Sequence, residues 1–377
     1  MSAQPLPRWA DLALLPAVCL AVALAAAGGV VALVGQDPWE VIQALVRGAF
    51  GSQRGLSYTL YYATTFIFTG LAVSVAFHAG LFNIGGEGQA ILGGLGTGLV
   101  ALWLSPVLPI WLMLPLMLVG GALFGAVWGA VPGYLQAYRG SHVVITTIMF
   151  NFIASSVLVY VLVNHLRPAG SMSVESASFA ASAHLPAMHE VAAWLGVEWA
   201  TSPLNLSLVL AMLAAFGVYL YIWRTRAGYH LRAVGSSPGA AQYAGISAHR
   251  QTVVAMAVSG ALAGMVGMNE IAGVNNRLLL EFVSGAGFTG IAVSLMGRNH
   301  PVGIVLASIL FGALFQGGAE VAFDVPGFSR DMVVMLQGFI VLFSGAMVYV
   351  IAPLLSRALR LAGYGSRWGT SSGVGHG

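Results

Sequence analysis

Ten apolar runs follow one another along the chain with mostly short connections, and no other feature narrows the fold as much. A helix of about 20 apolar residues crosses about 30 Å of hydrocarbon, where every backbone N–H and C=O must find its partner inside the protein. The runs are Leu12 to Gly35, Leu56 to Phe77, Ala90 to Leu104, Ile110 to Val131, Val143 to Val163, Leu206 to Trp223, Thr252 to Met268, Ala286 to Gly297, Val302 to Gly318 and Met332 to Leu355. Charged residues make up 7% of the chain, against roughly 25% in a soluble domain. The expected fold is all-α: one polytopic membrane domain over residues 1–377, embedded across 12–355, with about ten transmembrane helices. The third and eighth runs are too short to cross alone, so each is expected to continue a glycine-rich stretch as a broken or re-entrant segment. The first run is longer than a signal-peptide core and no convincing cleavage site follows it, which makes it a retained helix.

The charges supply orientation. All 15 basic residues are arginine. With the N-terminus inside, Arg8, Arg139, Arg224, Arg226, Arg232, Arg250, Arg298, Arg357, Arg360 and Arg367 face the cytoplasm. Arg47, Arg54, Arg167, Arg277 and Arg330 face outward, and ten against five places both termini inside. A phosphate-binding P-loop needs a lysine, so a chain without one carries no such site and any ATP must be hydrolysed by a partner. Residues 166–205 then form a long external loop with room for a short helix, and 224–250 form the largest cytoplasmic connection. The one cysteine, Cys19, excludes an internal disulfide.

Four stretches combine polar residues with membrane depth. In Gly80 to Gly94, Glu87 stands among apolar neighbours with Gly85, Gly86 and Gly88 beside it, where the helix is free to break. Two readings stay open: a substrate-pathway or gating group, or a structural knot in which Glu87 accepts bonds from freed backbone N–H groups. In Arg232 to Ser247, Ser237 and Pro238 read as an N-cap followed by proline at the first helical position, and Gly245 as a stop. The short helix between them carries the small Ala240 and Ala241 together with Tyr243, and either docks into a groove of a soluble partner or is a solvated connector. Thr147 and Asn151, four residues apart, share one helix face and either line a conduit or bond across helices. Asn269 and Glu270 close the seventh run, where an acidic group is expected at the outer interface, and Gly285, Gly287 and Gly290 surround Phe288 at a bent start of the eighth. Glycines at small-xxx-small spacing, Gly121, Gly125 and Gly129, predict close helix packing. Enzyme motifs are missing: His189 and Glu190 adjoin, but the second histidine of a zinc-protease motif does not follow, and no metal cluster is expected.

The motifs FNIGGEGQ (Phe82 to Gln89), VITTIMFNFIA (Val144 to Ala154), RAVGSSPGAAQYAGI (Arg232 to Ile246), SGALAGMVGMNEIAG (Ser259 to Gly273) and GFTGIAVSLMGRNHPVG (Gly287 to Gly303) occur in this order. Together they resemble the permeases of ABC importers for branched-chain amino acids, ribose-type sugars and nucleosides, most nearly the nucleoside or simple-sugar branch, over Leu56 to Val350. Gly86 departs from an expected Ala or Val, and His142 and Val143 from an expected Asn and Glu. The resemblance implies a permease subunit of the bacterial inner membrane, not an enzyme, without a cofactor of its own. A partner ATPase binds ATP and magnesium, an extracytoplasmic binding protein delivers the substrate, and a second permease subunit, alike or identical, completes the pore. It implies that Ser237, Pro238, Ala240, Ala241, Tyr243 and Gly245 form the coupling helix on the ATPase. Candidate pathway residues are Asn83, Glu87, Gln89, Thr147, Asn151, Asn269, Glu270 and Phe288. The rival reading is an ion-coupled secondary transporter with Glu87 as its proton or sodium site, which gives the cytoplasmic helix no task.

Overall fold

A computed structural model describes residues 10, 14–33, 35–194, 196–325 and 330–361; Arg8 and Arg367, counted above as cytoplasmic, and Leu12, the start of the first run, lie outside them. Among the described residues there is no strand, only isolated bridges between Glu175 and Leu279 and between Ala187 and Asn205. The α-helices are α1 (Leu15–Leu33), α2 (Pro38–Phe50), α3 (Gln53–His78), α4 (Gly86–Leu104), α5 (Ile110–Arg139), α6 (Val143–Val161), α7 (Met188–Trp194), α8 (Ser207–Arg224), α9 (Arg226–Ser236), α10 (Pro238–Tyr243), α11 (Ala248–Gly264), α12 (Ala286–Met296), α13 (Pro301–Asp324) and α14 (Arg330–Leu361). Wider π turns extend α6 over Leu162–Leu166 and follow α11 over Met268–Asn275.

Each of the ten apolar runs coincides with a helix, yet only six among the described residues are long and apolar enough to cross a membrane. They are Gln53–His78, Ile110–Arg139, Val143–Leu166, Ser207–Arg224, Ala248–Asn275 and Pro301–Asp324. The count of about ten therefore does not follow from length and composition. The third run starts earlier than read, at Gly86, and α4 reaches 19 residues, but glycine dilutes its apolar character. The eighth stays short: the 11 residues of α12 rise only about 16 Å. The fourth run reads as ending at Val131, but α5 passes on through Pro132 and ends only at Arg139, where Gly140 takes a left-handed cap at φ 69.

The described residues divide into two compact units. In the first, up to residue 44 and from 318 onward, α1 lies along α14, with Leu15, Cys19 and Ile351 buried between them. The second, residues 45–317, carries all the motifs. Its α3 is buried along most of its length and packs on α8, α11 and α12. The predicted glycine seam on α5 finds its partner on α11: a side chain on Gly125 or Gly260 would overlap the other's carbonyl, and Gly264 stands likewise against Gly121. Without side chains the two backbones approach closely, which is how helices gain contact in lipid.

One end of this unit gathers the last turns of α3, α5 and α8 with α9 and the starts of α11 and α13. There His78 meets Trp223 edge-on at 5.2 Å between ring centroids, Trp223 meets His300 at 5.0 Å, and Tyr138 stacks on His249 at 5.3 Å. At the opposite end the loop 166–205 folds back on the unit, with Ser182 donating to the Ser105 carbonyl at 2.6 Å and the Trp199 indole to Ser57 Oγ at 2.8 Å.

Candidate functional site

The break between α3 and α4 begins at Gly80, φ 74; the N–H groups of Gly80 and Leu81 still bond back to the Phe77 and Ala76 carbonyls of α3, and the backbone groups that follow have no such helical partners. Side chains supply them. Asn83 Oδ1 accepts the Gly85 N–H at 2.8 Å, while its Nδ2 donates to Gln89 Oε1 at 3.0 Å and to Ser259 Oγ on α11 at 2.8 Å. Asn151 on α6 accepts the Gly88 N–H at 2.9 Å and donates to the Ile84 carbonyl at 3.0 Å. Thr147, one turn before Asn151, packs beside Gly85 and bonds its own helix at the Val144 carbonyl, 3.1 Å away. Four of the candidate residues thus converge, Asn83, Gln89, Thr147 and Asn151, and all four are buried.

Glu87 points away from this network. Its Oε1 accepts the N–H of Gly285 and its Oε2 the N–H of Gly287, each at 2.8 Å. These are the first residues of the bent start of α12, so the carboxylate ties one glycine-rich break to the other. A side chain on Gly287 would overlap the backbone of Gly86 and Glu87. The freed N–H groups that Glu87 satisfies lie 198 and 200 residues away in the chain, beyond the reach of any local pattern. Phe288, next along α12, is 48% exposed, the one pathway candidate with a large open surface.

Asn269 and Glu270 do not meet Phe288 or Glu87 in any of these bonds. They form a separate cluster, and Glu270 does not meet solvent as expected: only 8% of it is exposed. The π turn swings both residues against α3 and α8. Thr65 donates to Glu270 Oε1 at 2.6 Å, Asn269 to the same oxygen at 3.2 Å, and Tyr61 to Oε2. Asn269 in turn donates to Thr65 Oγ1 at 2.7 Å and accepts from Ser207 Oγ at 2.6 Å and from Asn205 Nδ2 at 3.1 Å. Tyr61, Thr65, Asn205 and Ser207 were missed from the sequence; the only local hint was the four-residue spacing of Tyr61 and Thr65, which puts them on one helix face.

The motif Arg232 to Ser247 folds as its residues require. Ser237 Oγ accepts the Ala240 N–H at 3.3 Å, Pro238 opens α10, and Gly245 follows its end at φ 77. Ala241 is buried with Val234 and Ile246 and anchors the helix. Ser237, Pro238, Ala240, Tyr243 and Gly245 are exposed, Tyr243 at 98%. The result is a small-faced, seated helix with one projecting aromatic ring. Among the described residues no group of histidine, cysteine and acidic side chains is placed to hold a metal.

Residues 55–345 match the family model described as the permease component of a branched-chain amino acid transport system. The chain is 34% identical to the glucose ABC transporter permease protein of Haloferax volcanii, over 87% of this chain and 86% of that one. It is 34% identical to the guanosine ABC transporter permease protein NupP of Bacillus subtilis, over 90% and 96%, and 33% identical to the nucleoside ABC transporter permease protein NupB of Lactococcus lactis, over 86% and 88%. No solved structure matches.

Proposed function

Because the chain belongs to the family of branched-chain amino acid transport permease components, we propose that it is the membrane-spanning subunit of an ABC importer for nucleosides. A separate ATPase, holding ATP and magnesium, drives it; an extracytoplasmic binding protein feeds it; a second permease subunit completes the pore. The observation that carries this reading is α10: a capped, anchored helix with its small face and Tyr243 open to solvent at the arginine-rich end. A secondary transporter has no use for such a helix. Relatives named for guanosine and nucleosides match along most of the chain and support the substrate class.

In this reading the residues 1–377 form one permease domain in the inner membrane, crossing about ten times with α4 and α12 as broken elements and both termini in the cytoplasm. The arginine distribution supports that orientation. Phe288 lines the passage, while Asn83, Gln89, Thr147 and Asn151 shape it from behind by fixing the break before α4. Asn269 and Glu270 fix the outer ends of α3 and α8 beside it. Contacts with the substrate are weak, since the binding protein selects.

The test is uptake of labelled uridine and adenosine in cells with and without the gene, with unlabelled ribose or glucose as competitor and a protonophore as control. Gene-dependent uptake that survives the protonophore and ignores the sugars is expected. Competition by a sugar moves the substrate class to sugars, and loss to the protonophore at constant ATP replaces the ABC reading with ion-coupled transport.

A further inference from the structure

We propose that Glu87 is the joint through which the outer loop and α10 sense one another, a positioning residue that acts on coupling and not on substrate affinity. The proposal rests on the ABC-importer reading.

The connection from the second π turn to α12, residues 276–285, is held at its outer part by the external loop. Ser176 N–H donates to the Leu278 carbonyl at 2.8 Å, Leu278 N–H to Ser176 Oγ at 2.9 Å, and Phe179 N–H to the Asn276 carbonyl at 2.8 Å. Arg277 pairs with Glu175 at 3.0 Å. The connection itself is strained: Asn276, Glu281 and Ser284 hold φ of 52, 57 and 48, followed by Gly285 at 80. Side chains disfavour that left-handed region, and a run of such residues persists only where its surroundings impose it. At the inner end Glu87 holds the connection through the N–H groups of Gly285 and Gly287, beside a local turn in which the Ser284 N–H and Oγ donate to the Glu281 carbonyl.

From Glu87 the route continues inward. The residue opens α4, directly after the break that leads back to Gly80. A side chain on Gly80 would lie 3.2 Å from the Gly235 carbonyl, and one on Gly235 would overlap the His78 carbonyl, so these backbones touch. Gly235 is the penultimate residue of α9, and Ser237, the cap of α10, follows two residues later. Nearly every link is a backbone contact or a bond to backbone, leaving little slack for a displacement at one end to be absorbed. In this proposal the strained segment, clamped at both ends, is the element whose arrangement both sites bias. When the clamp at Glu87 opens, the connection is free to relax and α12 to tilt.

The experiment uses the full transporter in proteoliposomes and compares ATPase rates without and with its binding protein loaded with uridine. In Glu87→Gln the amide group turns a donor toward one of the two N–H groups and breaks that bond. The ratio of stimulated to basal ATPase is expected to fall at least about fivefold, a typical coupling magnitude, with KM for uptake held within about twofold. Arg277→Ala, which frees the outer clamp, is expected to lower the same ratio, and the double variant to fall no further than the lower of the two. Should Glu87→Gln not assemble, Glu87→Asp, which keeps the charge but is too short to reach both N–H groups, is read by the same ratio. A wild-type ratio in the Glu87 variant, additive losses in the double variant, or a changed KM at constant ratio overturns the proposal and leaves the importer reading intact. A wild-type transporter that its binding protein does not stimulate defeats the importer reading itself.

Discussion

Asn151 on α6 holds Gly88 on α4 by one amide: Oδ1 accepts the Gly88 N–H at 2.9 Å, and Nδ2 of the same group reaches the Ile84 carbonyl at 3.0 Å. Both backbone groups were orphaned by the break before α4; Gly88 is buried and Ile84 half-buried. Asn151→Ala leaves them unpaired together, at about 1–3 kcal/mol for each buried group. Thr146→Ala, which removes a hydroxyl bonded only to its own helix at the His142 carbonyl, is the control and shifts stability by less than about 0.5 kcal/mol. Thermal unfolding of the purified protein in detergent separates the two. Equal melting curves would show that the break finds other partners.

The glycine seam between α5 and α11 gives a steric prediction. At Gly125 and Gly260 a β-carbon has no space that is not already a carbonyl oxygen, so Gly125→Val forces two helices apart and strips contacts along the seam. Such a variant is expected not to accumulate as monodisperse protein. Gly217 on α8 has nothing within 4 Å of a built β-carbon, and Gly217→Ala is expected to stabilise slightly, by up to about 1 kcal/mol, through helix propensity alone. Size-exclusion profiles of the two variants decide whether position or glycine content as such is what matters.

Tyr243 touches almost nothing within its own chain, being 98% exposed. Tyr243→Ala is therefore expected to leave the melting temperature unchanged while lowering uptake about tenfold, the loss of a docking contact worth roughly 1.4 kcal/mol. Ala241→Asp makes the opposite separation. It places a charge where Val234 and Ile246 pack, so it should unseat α10 and lower melting temperature and uptake together. Uptake that survives Tyr243→Ala would show that the ring is not part of the docking face.

These contrasts mark what a sequence can convey. The apolar runs and the Ser237 and Pro238 pair are local patterns, and both came out as helices where they were read. The helix Pro38–Phe50 was passed over because Glu40, Gln43 and Arg47, which share one face of it, break the apolar run in the sequence and leave none of membrane length. The convergence of Asn83, Gln89 and Asn151 was half legible: their polarity announced a function, but the task of each depends on which N–H the break exposes. Glu87 was read with two alternatives open, a pathway group or an acceptor for freed N–H groups, and the donors it finds are set by tertiary packing of the other half of the chain. Glu270 was placed at the interface because a helix of regular pitch ends there. The π turn of Met268–Asn275 rotates it inward instead, and no propensity scale signals that rotation.

The Glu270 cluster carries the last prediction. Its carboxylate accepts from Thr65 and Asn269 at one oxygen and from Tyr61 at the other, so three donors from two segments are spent on one acceptor. Glu270→Gln supplies an amide whose nitrogen faces a donor in either orientation, leaving at least one buried polar group unmatched at about 1–3 kcal/mol. Tyr61→Phe removes a donor but leaves the carboxylate two others, and is expected to cost less, about 1 kcal/mol. The double variant should lose less than the sum, because Gln at 270 can turn its nitrogen toward the site the phenol vacates. Equilibrium unfolding of the four proteins measures the cycle. Strict additivity would mean that Tyr61 and Glu270 are not coupled.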